Sequence, residues 1–197
     1  MPVHGRPLLE YWLTALRAAG ISGASVNLHH FQDRVLRFLN RAPFADRVNL
    51  FFEEALLGTA GSVRAMTQNR ARNATLVIHA DNWSHCDLAA LLAHHERAAS
   101  CGMLMTMMTF YTSMPEQCGI VETDSDGTLQ AFYEKHIHPP GHRANAAVYV
   151  LEPAVIDWIH ANPDVTDFST EVIPEFIGRI ACWHHEAVHR DIGTPQA

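Results

Sequence analysis

The sequence has few cysteines and little positive charge, and its apolar runs are short. Each of these shortages argues against a class of protein. Its four cysteines are scattered without a C-x-x-C pair, which argues against a zinc knuckle and a disulfide scaffold. Its 14 basic and 21 acidic residues give a formal charge of −7, which argues against binding to nucleic acid or anionic lipid. No apolar run approaches the roughly 18 residues of a membrane span, and no export signal opens the chain. These absences predict a soluble, cytoplasmic protein.

Histidine is abundant, and three adjacent pairs invite the hypothesis of a metal site. The pairs are His29-His30, His94-His95 and His184-His185. Neighbouring side chains point to opposite sides of a strand and well apart on a helix, so such a pair rarely supplies two ligands to one ion. Ordinary surface or partly buried histidines are therefore the more frequent explanation.

The first half of the chain alternates apolar β-like runs with amphipathic helical segments. A length of 197 residues with 48% hydrophobic content suffices for one core, and no linker or repeat divides it. The pattern predicts strands at 24–28, 48–52, 75–79 and 103–109, and helices at 7–19, about 31–39 and 88–99. Continuous apolar strands separated by helices are typical of a parallel sheet covered on both faces.

From Gly119 onward the rhythm changes to shorter β runs. Runs at 119–123 and 129–134 flank an Asp-Ser-Asp-Gly turn signal and predict a hairpin. The elements predicted after it are a strand at 144–151, a helix at 153–160, a helix at 169–177 capped by Asp167 or Ser169, and a strand at 188–192. The whole of 1–197 is thus predicted to form a single α/β domain.

The order of elements is irregular at its start. Only Met1–Gly5 precede the first strong helix, whereas a βαβ unit normally opens with a strand. We therefore expect a first strand to be missing, which would make the domain N-terminally truncated. A missing interior strand would leave open hydrogen-bonding edges, which allow pairing with another chain, a homo-oligomer included.

Two aspartates end apolar β runs. Asp81, in the segment VIHADN, should emerge at the carboxyl edge of the sheet, where open α/β sheets bind ligands. The spacing leaves it either a metal ligand or a cap for the helix that begins near Asp87. Asp191 has a similar ambiguity, because strand-end aspartates before a glycine turn are often structural. Two such carboxylates could share a Mg²⁺ ion.

Three further features carry alternative explanations. Residues 58–61, Gly-Thr-Ala-Gly, let a flat ligand or phosphate approach backbone amides, but a simple turn is at least as frequent where no complete phosphate-binding motif is present. Glu134 and Lys135, at a strand end, would bind a substrate or form an exposed ion pair. Asn145, inside an apolar strand, must find hydrogen-bond partners or face a cavity.

Ten segments resemble, in order and in register, those of one known family. They are PVHGRPLLEYWL (2–13), AGI (19–21), VNLHH (26–30), EEALLGTAGSVR (53–64), HADN (79–82), CGIVE (118–122), FYEK (132–135), ANAAVYVLEP (144–153), DFSTEVIP (167–174) and DIGTP (191–195). Together they span essentially the whole chain and resemble the sugar-1-phosphate nucleotidyltransferases, the mannose-1-phosphate guanylyltransferase-like branch most closely. The resemblance implies a nucleotide-diphospho-sugar transferase fold, with a Rossmann-like mixed, mainly parallel sheet flanked by helices.

The family resemblance also implies a reaction and its substrates. A sugar-phosphate oxygen attacks the α-phosphorus of a nucleoside triphosphate in line, and pyrophosphate leaves. The implied substrates are GTP and mannose 1-phosphate, with Mg²⁺ as cofactor between the reacting phosphates. Positioning and charge neutralisation suffice for this chemistry, so no Ser-His or Cys-His arrangement is needed.

The resemblance assigns roles to individual residues. Asp81 and Asp191 would hold Mg²⁺, and Lys135 would meet the phosphate of the sugar. The remaining implied substrate-binding residues are Gly119, Glu134 and Asn145 around the sugar phosphate, and Glu53 or Glu54 with Gly58, Thr59 and Ala60 around the base.

The sequence also departs from the family pattern. The family's opening strand, its Gly-rich loop with an arginine and a later lysine-proline pair have no counterpart here, so we expect very slow turnover by the chain as written. Ala147 stands where glycine is usual, His136 where proline is usual, and Glu171 where aspartate is usual. The alternative hypothesis is a catalytically impaired homologue that binds a sugar phosphate or a partner subunit in a regulatory role. An unrelated α/β binding module is a more remote one.

Overall fold

The computed structural model of the protein describes residues 2–40, 45–68 and 73–191. The strands are β1 (Pro2–Val3), β2 (Arg6–Pro7), β3 (Ala24–Leu28), β4 (Val48–Phe52), β5 (Thr75–Ile78), β6 (Asn82–Ser84), β7 (Met105–Tyr111), β8 (Gly119–Thr123), β9 (Leu129–Glu134), β10 (Arg143–Leu151), β11 (Ile180–His184) and β12 (His189–Asp191). The helices are α1 (Leu8–Ala18), α2 (Gln32–Leu39), α3 (Gly58–Thr67), α4 (Leu88–Ser100), α5 (Pro153–Ala161) and α6 (Ile173–Glu175). None of these helices is long and apolar enough to span a membrane.

The largest sheet has six strands in the order β11-β7-β10-β8-β9, and β5 also pairs with β10. β11 runs parallel to β7, whereas β10 runs antiparallel to β5, β7 and β8. The prediction of a mixed α/β sheet flanked by helices is confirmed. More pairs of neighbouring strands are antiparallel than expected, because β10 runs in the direction opposite to all three of its neighbours.

Strand β10 changes partner along one of its two edges. β7 occupies one edge, and the other pairs with β8 at Ala144 and with β5 from Val148 to Leu151. The register against β7 shifts between Asn145 and Tyr149, which marks a bulge. A bulge bends a strand and interrupts its ladder, so a gap opens between the ends of β5 and β8.

Helices cover both faces of this sheet, as the apolar strands predicted. On one face, side chains of α3 and α5 pack on β7, β10 and β11, around the fully buried Tyr149 and Ile159. On the other face, α1 and α4 pack against Met108 and Val148. The indole of Trp12 also donates a hydrogen bond to the carbonyl of Asn82, 2.9 Å away, and so ties α1 to the start of β6.

Three short ladders lie outside the large sheet, and the first joins β1 and β2 in antiparallel register. β3 pairs with β4 in parallel, and β12 pairs with β6 in antiparallel register, with Asp191 opposite Asn82. The predicted last strand therefore exists at its first residues, and Ile192 lies outside the described residues. Its partner β6 was not predicted from the sequence. The predicted helix at 169–177 is instead a π-helical turn at Phe168–Val172 followed by the short α6, and Asp167 rather than Ser169 caps it.

Candidate active site at the carboxyl end of β5

The gap in the sheet brings together side chains from four parts of the chain. His79 and Asp81 follow β5 on one side, and Gly119 and Glu134 begin β8 and end β9 on the other. The bulged stretch 145–147 of β10 lies between them, where the amide of His79 donates to the carbonyl of Ala147 over 3.0 Å. Ligands bind at the carboxyl ends of strands in open α/β sheets, so this gap is the expected place for a site.

Asn145 holds the bulge together through both ends of its side-chain amide. Its Oδ1 accepts from the amide of Ala147 at 2.9 Å, and its Nδ2 donates to the hydroxyl of Tyr149 at 2.6 Å. A side-chain amide can donate twice and accept twice, so one donor and one acceptor position are left for a ligand. The expectation that the amide of Asn145 finds hydrogen-bond partners is therefore confirmed, and both partners lie on its own strand, β10.

Tyr149 forms the fully buried floor of the gap. Burial raises the pKa of its phenol far above the ordinary value, and the bond from Asn145 opposes this shift. The hydroxyl consequently stays protonated. The ring packs 4.7 Å from that of Phe168 and edge-on to His79, with centroids 6.4 Å apart.

Ala147 stands where the family pattern has glycine, and its backbone has a left-handed φ of 52°. A left-handed conformation costs an L-residue roughly 1–2 kcal/mol, because Cβ crowds the following carbonyl. The methyl group of Ala147 also packs against the apolar core. The bulge therefore persists under strain, held by the hydrogen bonds of Asn145 and His79.

Gly119 lets the side chain of Glu134 fold back over β8. The two residues are paired across β8 and β9, and a Cβ on Gly119 would lie 2.7 Å from Oε2 of Glu134 and 2.4 Å from Cζ of Phe132. Any larger residue would displace both side chains. Burial raises the pKa of Glu134; nearby Lys135 lowers it and Asp167 raises it further.

Lys135 directly follows this carboxylate and is the only lysine in the sequence. All the other basic residues are arginine, 14 minus 1, or 13. Its side chain is exposed, its φ is left-handed at 46°, and its amide donates to the carbonyl of Cys118 at 3.1 Å. The turn therefore presents an ammonium group beside Glu134 at the mouth of the gap.

The fold also brings the backbones of the two predicted metal ligands together. Asp81 is exposed in the turn after β5, and Asp191 lies opposite Asn82, the next residue, in the β12–β6 ladder. The side chain of Asp191 is outside the described residues. Asp87 caps α4 itself by accepting from the amide of Ala90 at 3.0 Å, so Asp81 is not that cap.

The donor set at this turn fits a magnesium ion. Mg²⁺ typically takes one or two carboxylates and fills its octahedral shell with phosphate oxygens and water. Two aspartates therefore suffice, although among the described side chains no group of three or more His, Cys, Asp or Glu could hold a metal.

Three residues of the gap were not assigned to the site from the sequence: His79, Tyr149 and Asp167. Burial lowers the pKa of His79, while the charges of Asp81 and Asp167 oppose the shift. The charge of Asp167 also raises the pKa values of Glu134 and Tyr149, so this carboxylate lies close enough to act on both. In the sequence Asp167 was seen only as a helix cap, a role it also has, because it accepts from the amide of Thr170.

Of the two glutamates predicted near the base, Glu53 has a structural role. Glu53 is only 4% exposed, and its carboxylate accepts from Asn27, the hydroxyl of Ser62 and the amide of Leu57. It therefore joins β3, β4 and α3. Glu54 is exposed.

The predicted base-binding glycine loop docks onto the segment that carries Asp167. The amide of Phe168 donates to the hydroxyl of Thr59 at 2.7 Å, and the amide of Ala60 donates to the carbonyl of Thr166 at 2.8 Å. Gly58 has a φ of 75°, and a Cβ there would lie 2.4 Å from the carbonyl oxygen of Thr166. The polar atoms of Thr59 and Ala60 that were expected near the base are thus engaged within the protein.

Glu171 stands where the family pattern has aspartate, and its side chain holds residues 166 and 167 in place. Its Oε2 accepts from the amides of Asp167 and Thr166 and from the hydroxyl of Thr166. These bonds, the one from Asp167 first, hold the pKa of Glu171 below its usual range. The longer side chain therefore reaches back to the loop and keeps Asp167 in place.

The strain at Ala147 gives a test of the bulge. We expect Ala147→Gly to raise the free energy of unfolding by about 1 kcal/mol, because glycine removes the left-handed penalty. Ala146→Gly, at the neighbouring buried position without a positive φ, should lower stability instead. Urea unfolding of both variants measures the difference. Loss of stability in Ala147→Gly as large as in Ala146→Gly would contradict a strained bulge.

The chain is similar in sequence to known nucleotidyl transferases. A family model of nucleotidyl transferases matches residues 1–197. Mannose-1-phosphate guanyltransferases of Schizosaccharomyces pombe and Pichia angusta are 25% and 26% identical over 199 residues, and each alignment covers 97% of this chain. The chain spans about half of their length, 53% in both cases.

Solved structures share the fold. The crystal structure of HddC from Yersinia pseudotuberculosis superimposes with a TM-score of 0.79 and 20% identity, covering 100% of this chain and 84% of that one. A second structure of HddC, complexed with GMP-PN, also has a TM-score of 0.79. With the family model matching its full length, the chain belongs to the nucleotidyl transferase family.

Proposed function

We propose that the protein transfers a nucleotidyl group from GTP to mannose 1-phosphate and releases pyrophosphate. The observation that carries the proposal is the position of Asp81 and of the Asp191 backbone at one end of a gap that also holds Lys135, Glu134 and Asn145. Family membership supports nucleotidyl transfer. The names of the two fungal relatives and the GMP-PN complex of HddC support the guanine nucleotide.

The sugar phosphate is proposed to bind beside the β9 end. The exposed ammonium of Lys135 supplies the positive charge that an otherwise acidic chain lacks, and it meets the phosphate. Glu134 accepts from sugar hydroxyls, and Asn145 offers its remaining donor and acceptor to others. The charge of Asp167 raises the pKa of Glu134, and its carboxylate is proposed as a further acceptor for the sugar hydroxyls.

The nucleotide is proposed to bind on the α3 side of the gap. Glu54 is the exposed acidic side chain there, and a carboxylate suits the N1–H and amino donors of guanine. Bound Mg²⁺ would neutralise charge on the reacting phosphates, and Asp81 and Asp191 are the residues that would hold it. The protein otherwise acts by orienting the attacking phosphate oxygen in line, which needs no covalent nucleophile.

The first test uses Lys135 because it is the only lysine. Lys135→Ala should weaken mannose 1-phosphate binding at least about tenfold, since a charge-assisted hydrogen bond is worth about 1.5–3 kcal/mol. Titration calorimetry with Mg²⁺ measures it, and Arg97→Ala, on α4, is the matched loss of one positive charge. Mannose 1-phosphate should also protect Lys135 from acetylation, which mass spectrometry reads at a single site.

Unchanged affinity in Lys135→Ala, or acetylation at the same rate with and without the sugar phosphate, would contradict the acceptor site. Pyrophosphate release from GTP and mannose 1-phosphate then tests transfer itself. Release that is very slow but is abolished in Lys135→Ala would agree with transfer, whereas binding with no release at all would favour a regulatory homologue over an enzyme.

Replacing Glu134 with glutamine should raise stability and weaken binding of the sugar phosphate. Because burial raises its pKa, the charged form costs the folded state free energy, so its stabilising contribution is complete below the ordinary glutamate pKa and is lost as pH rises through the raised value. Glu134→Gln should therefore gain stability relative to the wild type as the pH rises from about 4, near the ordinary glutamate pKa, to neutral pH. At neutral pH it should bind mannose 1-phosphate about tenfold more weakly, because a charged acceptor is lost.

Thermal unfolding across this pH range and calorimetric titration measure the two effects. Glu116→Gln, at an exposed carboxylate outside the gap, is the control and should change neither. A Glu134→Gln variant that loses stability with rising pH, or that binds the sugar phosphate as tightly as the wild type, would show that this carboxylate is not the buried acceptor.

A further inference from the structure

His185, from one of the three histidine pairs, lies where the chain leaves the large sheet for β12. The residue is buried, with 6% of its surface exposed. Its amide donates to the carbonyl of Thr109 on β7 at 2.7 Å, which extends the hydrogen bonding between β11 and β7 by one residue. His185 is therefore held by the large sheet immediately before the turn that leads into β12.

The ring of His185 also contacts both sides of the β12–β6 ladder. Its Nε2 lies 3.5 Å from the hydroxyl of Ser84 on β6. Burial lowers the pKa of His185, and the carbonyl of Val188, a hydrogen-bond acceptor for the ring, opposes this shift. The same carbonyl accepts from the amide of His85 at 3.1 Å. One side chain thus links the large sheet to β6 and to the residue that precedes β12.

Strand β12 needs such a link to keep its position. Among the described strands it pairs with β6 alone, over three residues on each side. A two-stranded ladder is at best marginally stable by itself. A cavity of about 190 Å³, lined by residues 110–111 and 184–189, lies beside the turn before β12. Close packing therefore does not fix this turn, and its hydrogen bonds have to hold it.

Strand β6 is fixed to the site by other contacts. The carbonyl of Asn82 accepts from the indole of Trp12, and its Nδ2 donates to the carbonyl of Ala146, next to the bulge of β10, at 3.4 Å. Asp81 directly precedes Asn82, so the backbone of Asp81 is held through its neighbour. The position of Asp191, opposite Asn82, depends instead on where β12 lies.

A second contact between β12 and the large sheet is made by β12 itself. The ring of His189 lies 4.4 Å from that of Phe110 on β7. His185 differs from His189 because it lies outside β12, six residues before Asp191. Replacing His185 therefore changes how β12 is held without changing the sequence of the strand.

We propose that His185 is a positioning residue of the metal site. Its buried ring keeps β12 in register with β6, and so keeps the backbone of Asp191 opposite Asn82 and beside Asp81. This role rests on the proposed function, in which the two aspartates hold one divalent ion. His185 acts through the backbone of β12 and is not itself a ligand. Replacing residues that orient metal ligands in this way typically lowers metal affinity about 10–100-fold.

The main variant is His185→Phe, which keeps an aromatic ring and loses the hydrogen bonding. In the wild type the ring of His185 is stacked on that of Trp183, with centroids 6.0 Å apart. The matched control is His95→Phe on α4, because His95 is 3% exposed and is hydrogen-bonded to Thr106 and Glu152. Both variants lose a buried, hydrogen-bonded imidazole, but only the first loses it beside β12.

Two measurements apply to each variant, at a temperature where circular dichroism shows it to be folded. Electron paramagnetic resonance measures Mn²⁺ affinity, and we expect His185→Phe to lower it about tenfold or more. Amide hydrogen exchange without metal should become faster in His189–Asp191 and Asn82–Ser84, and should not change in Gly119–Thr123. His95→Phe should leave Mn²⁺ affinity and exchange in the β12–β6 ladder unchanged.

A second variant separates hydrogen bonding from ring volume. The amide of His185→Gln can still donate and accept, so this variant should bind Mn²⁺ more tightly than His185→Phe. The opposite order, unchanged exchange in β12, or an equal loss of Mn²⁺ affinity in His95→Phe would overturn the positioning role and leave the proposed function standing. A wild-type protein that binds no Mn²⁺ would overturn the shared metal site, and this role with it.

Discussion

The candidate site depends on one constraint, that β10 must share a single edge between two strands. With β7 along its other edge, β10 pairs with β8 at its start and with β5 at its end, and the change between them requires a bulge. The amide of Asn145 bridges the bulge, and Ala147 adopts a left-handed conformation within it. The polar side chains of the site meet at the gap that this bulge opens.

The two sides of the site are joined by the segment 166–168. Thr166 accepts a hydrogen bond from the start of α3, Phe168 donates one to Thr59, and the charge of Asp167 acts on Glu134. Glu171 holds this segment through three hydrogen bonds. The glycine loop assigned to the nucleotide and the gap assigned to the sugar phosphate therefore share one support, and an alteration of either is expected to move the other.

The sequence predicted the regular elements well and the long-range arrangement poorly. Strands at 24–28, 48–52, 119–123 and 129–134 have the predicted bounds, because apolar runs flanked by turn residues determine them locally. β1, β2, β6 and β11 were missed, since the first three are two or three residues long and β11 ends in tryptophan and histidine. The ring contact of His79 with Tyr149 depends on the bulge and on residues far apart in the chain, and no local pattern encodes it.

Asp81 and Asp191 are proposed to hold one divalent ion between them. Electron paramagnetic resonance of Mn²⁺, titrated as a probe into the protein with mannose 1-phosphate present, measures this most directly. If the two aspartates share the ion, Asp81→Asn and Asp191→Asn will each weaken Mn²⁺ binding strongly, and the double variant will lose far less than the sum of the two, because coupled sites are not additive. Either single variant binding Mn²⁺ as tightly as the wild type would contradict the shared site.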